Sequence, residues 1–277
     1  MHVKRAFVIG HPIAHSRSPL IHNSWLRVYG IAGSYEPIDV TPAHLGEIFA
    51  RLRSGEFVGG NVTLPHKEAT YRLCDSVDAL ATRIGAVNTL TASAGHVHGA
   101  NTDHYGFLAN LDQQAPGWSE GPRDAIVLGA GGASRAVVVA LQQRGTGLIH
   151  ILNRTPERAR ALAAELGAGL VGGSLAEFAR LAPKTGFVVN TSAIGMHGSG
   201  FEDLPLDLLP ATALVTDIVY TPLETPLLAA ARARGLNVVD GLGMLLHQAV
   251  PGFEAWFGTR PEVTAELRAA IAATLGQ

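Results

Sequence analysis

The sequence predicts an α/β protein with mostly parallel sheets. Segments typical of strands and segments typical of helices alternate along the 277 residues, as they do in βαβ units. Residues 113–123 include two prolines and two glycines and are typical of a loop between two such runs. The second run opens at Asp124 with a strand that leads straight into a glycine-rich turn. A chain of this length fits one large domain or two ordinary ones.

Composition excludes several classes of function. The apolar content of 47% is enough for a buried core, and the net charge of −2 gives no electrostatic basis for binding nucleic acid or an anionic membrane. The single cysteine, Cys74, cannot form an internal disulfide and suits a reducing compartment. The apolar run at residues 6–9 is too short for a signal peptide, and no stretch approaches a membrane span. We therefore expect a cytoplasmic protein whose partners include neither nucleic acid nor a membrane.

The first run alternates between the two element types. Strands are predicted at residues 6–9, 35–40, 57–62, 87–91 and 97–101. Helices are predicted at residues 19–29, 42–53 and 103–111, and another is predicted to begin at Pro65. Ser18 and Pro19 are a strong helix start, with the serine as N-cap and the proline as first helical residue.

The second run begins with a buried strand at residues 124–128, a glycine-rich turn and a helix at residues 133–144. Glycines in the turn permit close backbone approach, and the helix N-terminus after it attracts phosphate. Ser134 occupies the position of the usual third glycine, and its small side chain still allows close packing. This order of elements predicts a dinucleotide site. The turn consists of Gly129, Ala130, Gly131, Gly132 and Ala133.

The end of the next predicted strand, at residues 148–152, indicates which dinucleotide binds. NAD sites usually place an acidic residue there to bind the ribose 2′-hydroxyl, but this chain has Asn153, Arg154 and Thr155. Because there is no carboxylate and Arg158 adds a second guanidinium, the segment favours a 2′-phosphate. The alternative is a helix start with solvated arginines. We predict NADP rather than NAD.

Lys67 is a candidate acid/base group. The only lysines of the chain are Lys4, Lys67 and Lys184, and its other cationic side chains are arginines. Lysine, unlike arginine, can lose a proton near neutral pH. In the first turn of the helix predicted from Pro65, Lys67 would lie at the positive end of the helix dipole, which disfavours an ammonium but is too weak to tune the lysine unaided. The alternative is an ordinary surface lysine.

Asp103 is a candidate partner for this lysine, because it opens the helix predicted at residues 103–111. A carboxylate beside Lys67 would hold the ammonium and relay its proton. On local evidence alone, helix capping explains Asp103 equally well.

Two hydroxyls, Ser16 and Ser18, precede the first predicted helix. Together with free backbone N–H groups they could bind a carboxylate or phosphate, although capping alone would explain Ser18. The same segment contains three histidines, but Pro12 breaks the geometry that a helical metal-binding pair needs, so no metal site is predicted. The histidines are His11, His15 and His22.

Together these segments resemble the shikimate dehydrogenase family, NADP-dependent enzymes that reduce 3-dehydroshikimate in aromatic amino-acid biosynthesis. The resemblance runs nearly end to end, and its motifs occur in the right order. No catalytic position departs from the family pattern. The matching motifs are residues 10–19, 61–67, 85–88, 101–103, 129–133, 153–155, 190–192, 217–220 and 240–248.

The resemblance implies a role for each candidate residue. Lys67 and Asp103 would be the catalytic pair. Ser16 and Ser18 would hold the substrate carboxylate, with Tyr220 nearby. Ring hydroxyls would be bound by Asn61, Thr63, Asn88 and Gln248. The pyrophosphate would be bound by Gly129, Ala130, Gly131, Gly132 and Ala133. The 2′-phosphate would be bound by Asn153, Arg154, Thr155 and Arg158, and the nicotinamide by Ile218, Gly241 and Met244.

The resemblance also implies two α/β domains, an N-terminal substrate domain and a Rossmann-type NADP-binding domain, with the active-site cleft between them. It assigns residues 1–103 and 244–277 to the substrate domain and residues 104–243 to the NADP-binding domain. It leaves monomer and homodimer open.

Three alternatives stay open. One is a dual-specificity quinate/shikimate dehydrogenase on the same scaffold. A second is a catalytically silent regulator that binds NADP or a metabolite, which the presence of both Lys67 and Asp103 disfavours. A third is a one-carbon folate dehydrogenase of comparable architecture, which the loop of Ser16 and Ser18 fits poorly.

Overall fold

The computed structural model describes residues 3–120, 123–197, 199–201 and 204–275. Its strands are β1 Lys4–Gly10, β2 Gly33–Asp39, β3 Gly59–Val62, β4 Ser76–Val77, β5 Thr89–Ser93, β6 His96–Ala100, β7 Asp124–Leu128, β8 Ile149–Asn153, β9 Leu170–Ser174, β10 Thr185–Asn190, β11 Ile194–His197, β12 Leu214–Asp217 and β13 Asn237–Val239. Its helices are α1 Ser18–Val28, α2 Leu45–Arg53, α3 Lys67–Leu73, α4 Ala79–Ile84, α5 Asp103–Gln114, α6 Gly132–Gln143, α7 Pro156–Leu166, α8 Phe178–Leu181, α9 Pro226–Ala233, α10 Leu242–Phe257 and α11 Ala265–Ala272.

The chain divides into two compact units. The first comprises Met1–Tyr105 and Leu246–Ile271, and the second comprises Gly106–Leu245 and Ala272–Gln277. The division therefore falls inside α5 and α10, a few residues from the domain bounds predicted after residues 103 and 243. Residues 272–277, which were predicted in the substrate domain, are grouped with the second unit.

The first unit contains a mixed six-stranded sheet in the order β2-β1-β3-β5-β6-β4. β1 pairs in parallel with β2 and β3, but β5 is antiparallel to both β3 and β6. The prediction of mostly parallel sheets is confirmed, and among the described residues the antiparallel exceptions are the pairings of β5 with β3 and with β6. The physical reason for the pairing of β5 with β6 is the turn at Ala94 and Gly95, both with positive φ, because a two-residue turn joins only antiparallel strands.

The second unit contains a wholly parallel six-stranded sheet in the order β13-β12-β10-β7-β8-β9. Counted from β7 along the chain, this is the 3-2-1-4-5-6 order of a doubly wound dinucleotide-binding fold. Alternate residues of β7 enter two different core clusters: Ala125 and Val127 enter one, and Ile126 and Leu128 the other. Both faces of the sheet are covered, which explains why the strand is an unbroken apolar run.

The core of the first unit has two parts. Phe7, Ile9 and Leu90 belong to an apolar cluster on the central strands. The second part is an aromatic cluster, defined by His22, Trp25, Tyr35, Phe253 and Trp256, which brings α10 against α1 and β2. The indole of Trp256 donates to the Leu90 carbonyl at 2.8 Å. These contacts group the segment from Leu246 with the first unit.

The starts of three helices in the first unit differ from the predicted ones by one to three residues. α2 begins at Leu45, because Pro42–His44 form a 3-10 turn before it. α1 begins at Ser18 rather than Pro19. α3 begins at Lys67, so the prediction that Pro65 is the first helical residue is wrong: Pro65 follows a cis peptide bond and precedes the helix. Lys67 nevertheless lies in the first helical turn, as predicted.

Sequence reasoning missed β4 and α4. The sequence signals of α4 were present: Asp78 is a capping residue at its start and Gly85 a glycine at its end. In the structure Asp78 accepts the Ala81 N–H at 2.5 Å, and Gly85 ends the helix in a left-handed conformation. Among the residues that the structure describes, no helix combines the length and apolar character needed to cross a bilayer.

Candidate active site

Lys67 and Asp103 form an ion pair in the first unit. Each is the first residue of its helix, α3 and α5 respectively. The Lys67 Nζ lies 2.5 Å from the Asp103 Oδ2, and the two side chains are only 12% and 8% exposed. Little solvent therefore screens the pair. The lysine is not the ordinary surface residue that the local sequence left open.

Asn88 holds the other oxygen of the same carboxylate. Its Nδ2 donates to the Asp103 Oδ1 at 2.8 Å, so both carboxylate oxygens are bound. The Asn88 Oδ1 accepts the Thr102 N–H at 2.7 Å, which fixes the orientation of the amide. The Gln248 Oε1, on α10, lies 3.5 Å from the Asn88 Nδ2. Four predicted site residues thus converge in one connected polar network.

Asn61 joins this network from β3. Its Nδ2 donates to the Asn88 carbonyl and to the Thr89 hydroxyl, both at 3.2 Å. Its Oδ1 accepts the Tyr35 hydroxyl at 2.6 Å. Thr63 follows at the end of the strand, where a Cβ added to Gly10 would lie 2.6 Å from its Cγ2. The absence of a side chain at Gly10 therefore leaves the room that Thr63 occupies.

Tyr35 is a site-associated residue that sequence reasoning missed. Its hydroxyl donates to the Asn61 side chain on β3 and is close enough to Ser18 for that serine to affect its pKa, so it lies between β3 and the serine loop. Burial raises the pKa of Tyr35 well above its ordinary value, against a smaller lowering by Ser18, so the phenol stays protonated and donates. No local sequence signal separates this tyrosine from an ordinary core aromatic.

The serine loop lies just before α1. The Ser16 hydroxyl accepts the Ser18 N–H at 3.3 Å, and Ser18 is buried. The neighbouring histidines have different surroundings. The His11 ring lies 2.6 Å from Asp39, and His22 is enclosed in the aromatic cluster, where burial lowers its pKa to about 3.

The predicted dinucleotide turn lies in the second unit, between β7 and α6. Gly129 has a φ of 117°, and a Cβ there would lie 2.8 Å from the Thr191 hydroxyl, so glycine is required. A Cβ at Gly131 would meet nothing within 4 Å, which leaves its backbone open to a ligand. The Ser134 hydroxyl accepts the Gly131 N–H at 3.0 Å and bonds to Thr191 at 2.7 Å. The serine at the third glycine position therefore stabilises the turn by connecting Gly131 with Thr191.

The segment after β8 leaves two cations exposed. Asn153 donates from its Nδ2 to the Thr155 carbonyl at 3.0 Å, which shapes the start of α7. Arg154 and Arg158 are exposed, and neither has an ion-pair partner among the residues that the structure describes. A helix N-terminus with two uncommitted guanidinium groups fits a phosphate.

Of the three predicted nicotinamide-pocket residues, Ile218 directly follows β12, Gly241 directly precedes α10, and Met244 lies in the first turn of α10. A Cβ at Gly241 would lie 2.6 Å from the carbonyl group of Ile218, so the two backbones are in direct contact. Met244 is buried in the core of the unit. Tyr220, which was predicted near the substrate carboxylate, belongs to the second unit, whereas Ser16 and Ser18 belong to the first.

Asp217, at the end of β12, anchors this region. Its Oδ1 accepts bonds from the Asn190 side chain and the Val219 N–H, both at 2.9 Å, and its Oδ2 accepts the Thr225 hydroxyl at 2.7 Å. Burial raises the pKa of Asp217 to about 6, and the donors oppose this rise. The carboxylate links the loops that follow β10 and β12.

Family models match most of the chain. The shikimate dehydrogenase substrate binding domain matches residues 8–90, shikimate / quinate 5-dehydrogenase matches residues 115–194, and the shikimate 5′-dehydrogenase C-terminal domain matches residues 241–271. A shikimate dehydrogenase (NADP(+)) from Mesorhizobium japonicum is 59% identical over 275 residues, which cover 98% of this chain and 97% of that protein.

Solved structures agree with the family models. A shikimate 5-dehydrogenase from Thermus thermophilus in complex with NADP(H) and shikimate is 39% identical, with a TM-score of 0.87 and coverage of 98% of this chain and 99% of that one. A quinate dehydrogenase from Corynebacterium glutamicum in complex with NAD is 31% identical, with a TM-score of 0.89 and the same coverage. The chain belongs to the shikimate dehydrogenase family.

Proposed function

We propose that the chain catalyses the reversible NADPH-dependent reduction of 3-dehydroshikimate to shikimate, in aromatic amino-acid biosynthesis. The observation that carries the proposal is the shielded pair of Lys67 and Asp103, whose carboxylate is also held by Asn88. The identity of 59% to an NADP-dependent shikimate dehydrogenase supports it.

The second unit fits the cofactor in three respects. There is empty space beside the backbone of Gly131, and α6 begins directly after this residue. Arg154 and Arg158 are exposed and form no ion pair with the residues that the structure describes. When bound, NADPH supplies the hydride that the carbonyl carbon C3 of the substrate accepts. We assign the pyrophosphate to residues 129–133, the 2′-phosphate to residues 153–155 with Arg158, and the nicotinamide to Ile218, Gly241 and Met244.

Lys67 supplies the proton of the reaction. In the reductive direction its ammonium donates to the developing alkoxide, and in the oxidative direction its neutral amine accepts the hydroxyl proton. Asp103, fixed through both oxygens, orients the lysine and accepts a hydrogen bond from the neighbouring substrate hydroxyl.

The remaining first-unit residues orient the substrate. Ser16 and Ser18 bind its carboxylate through hydroxyls and helix N-terminal N–H groups. Asn61, Thr63, Asn88 and Gln248 bind ring hydroxyls. Both bonds from the Asn61 Nδ2 are long, at 3.2 Å, so a ring hydroxyl can compete for those protons.

The second candidate is a dual quinate/shikimate dehydrogenase, which the structural similarity to a quinate dehydrogenase favours. Absorbance assays at several pH values, with shikimate or quinate and NADP or NAD, separate the candidates. We expect the highest kcat/KM for shikimate with NADP. A comparable kcat/KM for quinate would establish a dual quinate/shikimate dehydrogenase. If shikimate gave no formation of NADPH, the protein would instead be a catalytically inactive one that binds NADP or a metabolite.

Replacing Arg154 and Arg158 together by alanine is expected to raise the KM for NADP about 10- to 100-fold and to leave the KM for NAD nearly unchanged. Only NADP carries the 2′-phosphate, and charge-assisted bonds to it contribute about 1.5–3 kcal/mol. Arg160→Ala is the matched control, because Arg160 lies on the same helix but pairs with Glu157 at 3.3 Å. Equal losses for the two cofactors would contradict the assignment.

We propose a cytoplasmic location for the protein. Cys74 as the single cysteine suits the cytoplasm, and the net charge of −2 offers nucleic acid no attractive surface. Monomer and homodimer are both compatible with the proposed activity. Sedimentation velocity at several protein concentrations distinguishes them.

A further inference from the structure

Asn110 is a buried polar residue that the proposed mechanism does not use. It lies on α5 in the second unit and is 2% exposed. Its Nδ2 donates to the backbone carbonyl of Asp240 at 2.8 Å. Its Oδ1 has no hydrogen-bond partner among the residues that the structure describes. An apolar side chain would avoid the cost of that buried oxygen, so stability alone does not account for the amide.

The amide contacts the segment that begins α10. A Cβ added to Gly243 would overlap the Asn110 Oδ1, so the amide lies directly against that glycine. The Asp240 Oδ1 accepts the Leu242 N–H at 3.0 Å and caps the same helix. Asn110 therefore contacts the segment at two points, the carbonyl of Asp240 and the Cα of Gly243.

The same segment also contacts Ile218, through Gly241. The Gly241 backbone packs on the Ile218 carbonyl, with 2.6 Å from a Cβ at Gly241 to the carbonyl carbon. Met244 shares a core cluster with Phe107 and Leu111, the neighbours of Asn110 on α5. The segment thus contacts Ile218, which directly follows β12, and α5, from which Asn110 makes a polar contact.

We propose that Asn110 is a positioning residue for the nicotinamide half of NADP. It fixes the backbone from Asp240 to Gly243, and this backbone sets where Gly241 and Met244 lie. This inference rests on the proposed function, because the nicotinamide pocket is part of that proposal. Asn110 itself is not assigned any contact with the cofactor.

The test compares NADP with 2′,5′-ADP, which has the adenosine and 2′-phosphate but lacks the nicotinamide. For Asn110→Ala we expect the Kd for NADP, measured by calorimetry, to rise about tenfold, as for one lost buried hydrogen bond. The Kd for 2′,5′-ADP should stay within about twofold. Thr185→Val is the matched control, since Thr185 is buried in the same unit and donates to the Leu181 carbonyl at 3.0 Å. It should change neither Kd.

A second variant keeps the test decisive if Asn110→Ala does not fold. Gly243→Ala keeps the amide but displaces it, so it should also weaken NADP selectively. In the double variant the overlap is gone, so Gly243→Ala should add no loss to Asn110→Ala. Wild-type affinity for NADP in the single variants, or equal losses for both ligands, would overturn the inference. Failure of the proposed function would instead appear in the wild type, as no binding of NADP or no turnover of shikimate.

Discussion

Replacing Lys67 by arginine is expected to lower kcat by about 10²- to 10⁴-fold, the usual contribution of a general acid/base. The guanidinium keeps the positive charge but does not deprotonate in proteins, so it cannot exchange the reaction proton. The ion pair to Asp103 can persist in the variant, which separates proton transfer from charge. Steady-state assays in both directions measure the effect, and calorimetry should show NADP binding unchanged.

Lys184→Arg is the control for this substitution. Lys184 is exposed and lies in the second unit, so the same chemical change there should leave kcat unaltered. If Lys67→Arg retained near-normal turnover, the acid/base role of Lys67 would be excluded. The carboxylate network around it would then serve only to bind the substrate.

The second large effect concerns acid stability and His22. Burial among aromatic rings lowers the pKa of His22 to about 3, whereas the unfolded chain has the ordinary value of 6.5. Between these two values the unfolded state binds a proton that the native state does not. The free energy of unfolding therefore falls as the pH falls, by up to about 1.4 kcal/mol per pH unit from this residue.

His22→Phe should remove this contribution. The new ring can keep the stacking on Tyr35, where the ring centroids are now 4.0 Å apart, but it does not titrate. From pH 6 to pH 4 we expect the unfolding free energy of the variant to fall less steeply than that of the wild type, by about 1.4 kcal/mol per unit. Urea denaturation followed by tryptophan fluorescence measures the unfolding, because Trp25 and Trp256, two of the three tryptophans, contact His22.

Other titrating groups contribute equally to both proteins and cancel in the comparison. Asp217, with its raised pKa, acts in the opposite direction, because its protonation favours the native state as the pH falls. His44→Gln is the control, since His44 is exposed on the surface of the first unit. Identical pH slopes for His22→Phe and the wild type would show that the burial of His22 does not govern acid stability.

The cofactor half of the site was predictable from sequence because its signals are local. The turn at residues 129–133 is contiguous, and its position between β7 and α6 follows from the strand and helix patterns on either side. The Asn153 to Arg158 segment is equally compact. The serine at position 134, where the motif usually has its third glycine, also acts locally, since its hydroxyl accepts the N–H of Gly131, three residues earlier.

The substrate half was predictable only in part. Lys67 and Asp103 were identified as candidates, but on local evidence an ordinary surface lysine was the commoner interpretation of Lys67, and helix capping explained Asp103 equally well. The contacts of Tyr35 with Ser18 and Asn61 had no sequence signal, because a tyrosine in a strand is an ordinary core residue. The predicted starts of α1 and α3 were wrong by one and two residues respectively, because sequence signals do not locate a helix end more exactly than that.

The sequence by itself determined the alternation of strands and helices, the glycine-rich turn between β7 and α6 and the preference for NADP, since each depends on residues a few positions apart. Only the tertiary structure decided which polar groups meet. Lys67 reaches Asp103 across 36 positions, and Gln248 approaches Asn88 across 160. Such contacts depend on how α3, α5 and α10 pack in the first unit, because burial and strand pairing across the whole unit fix their positions.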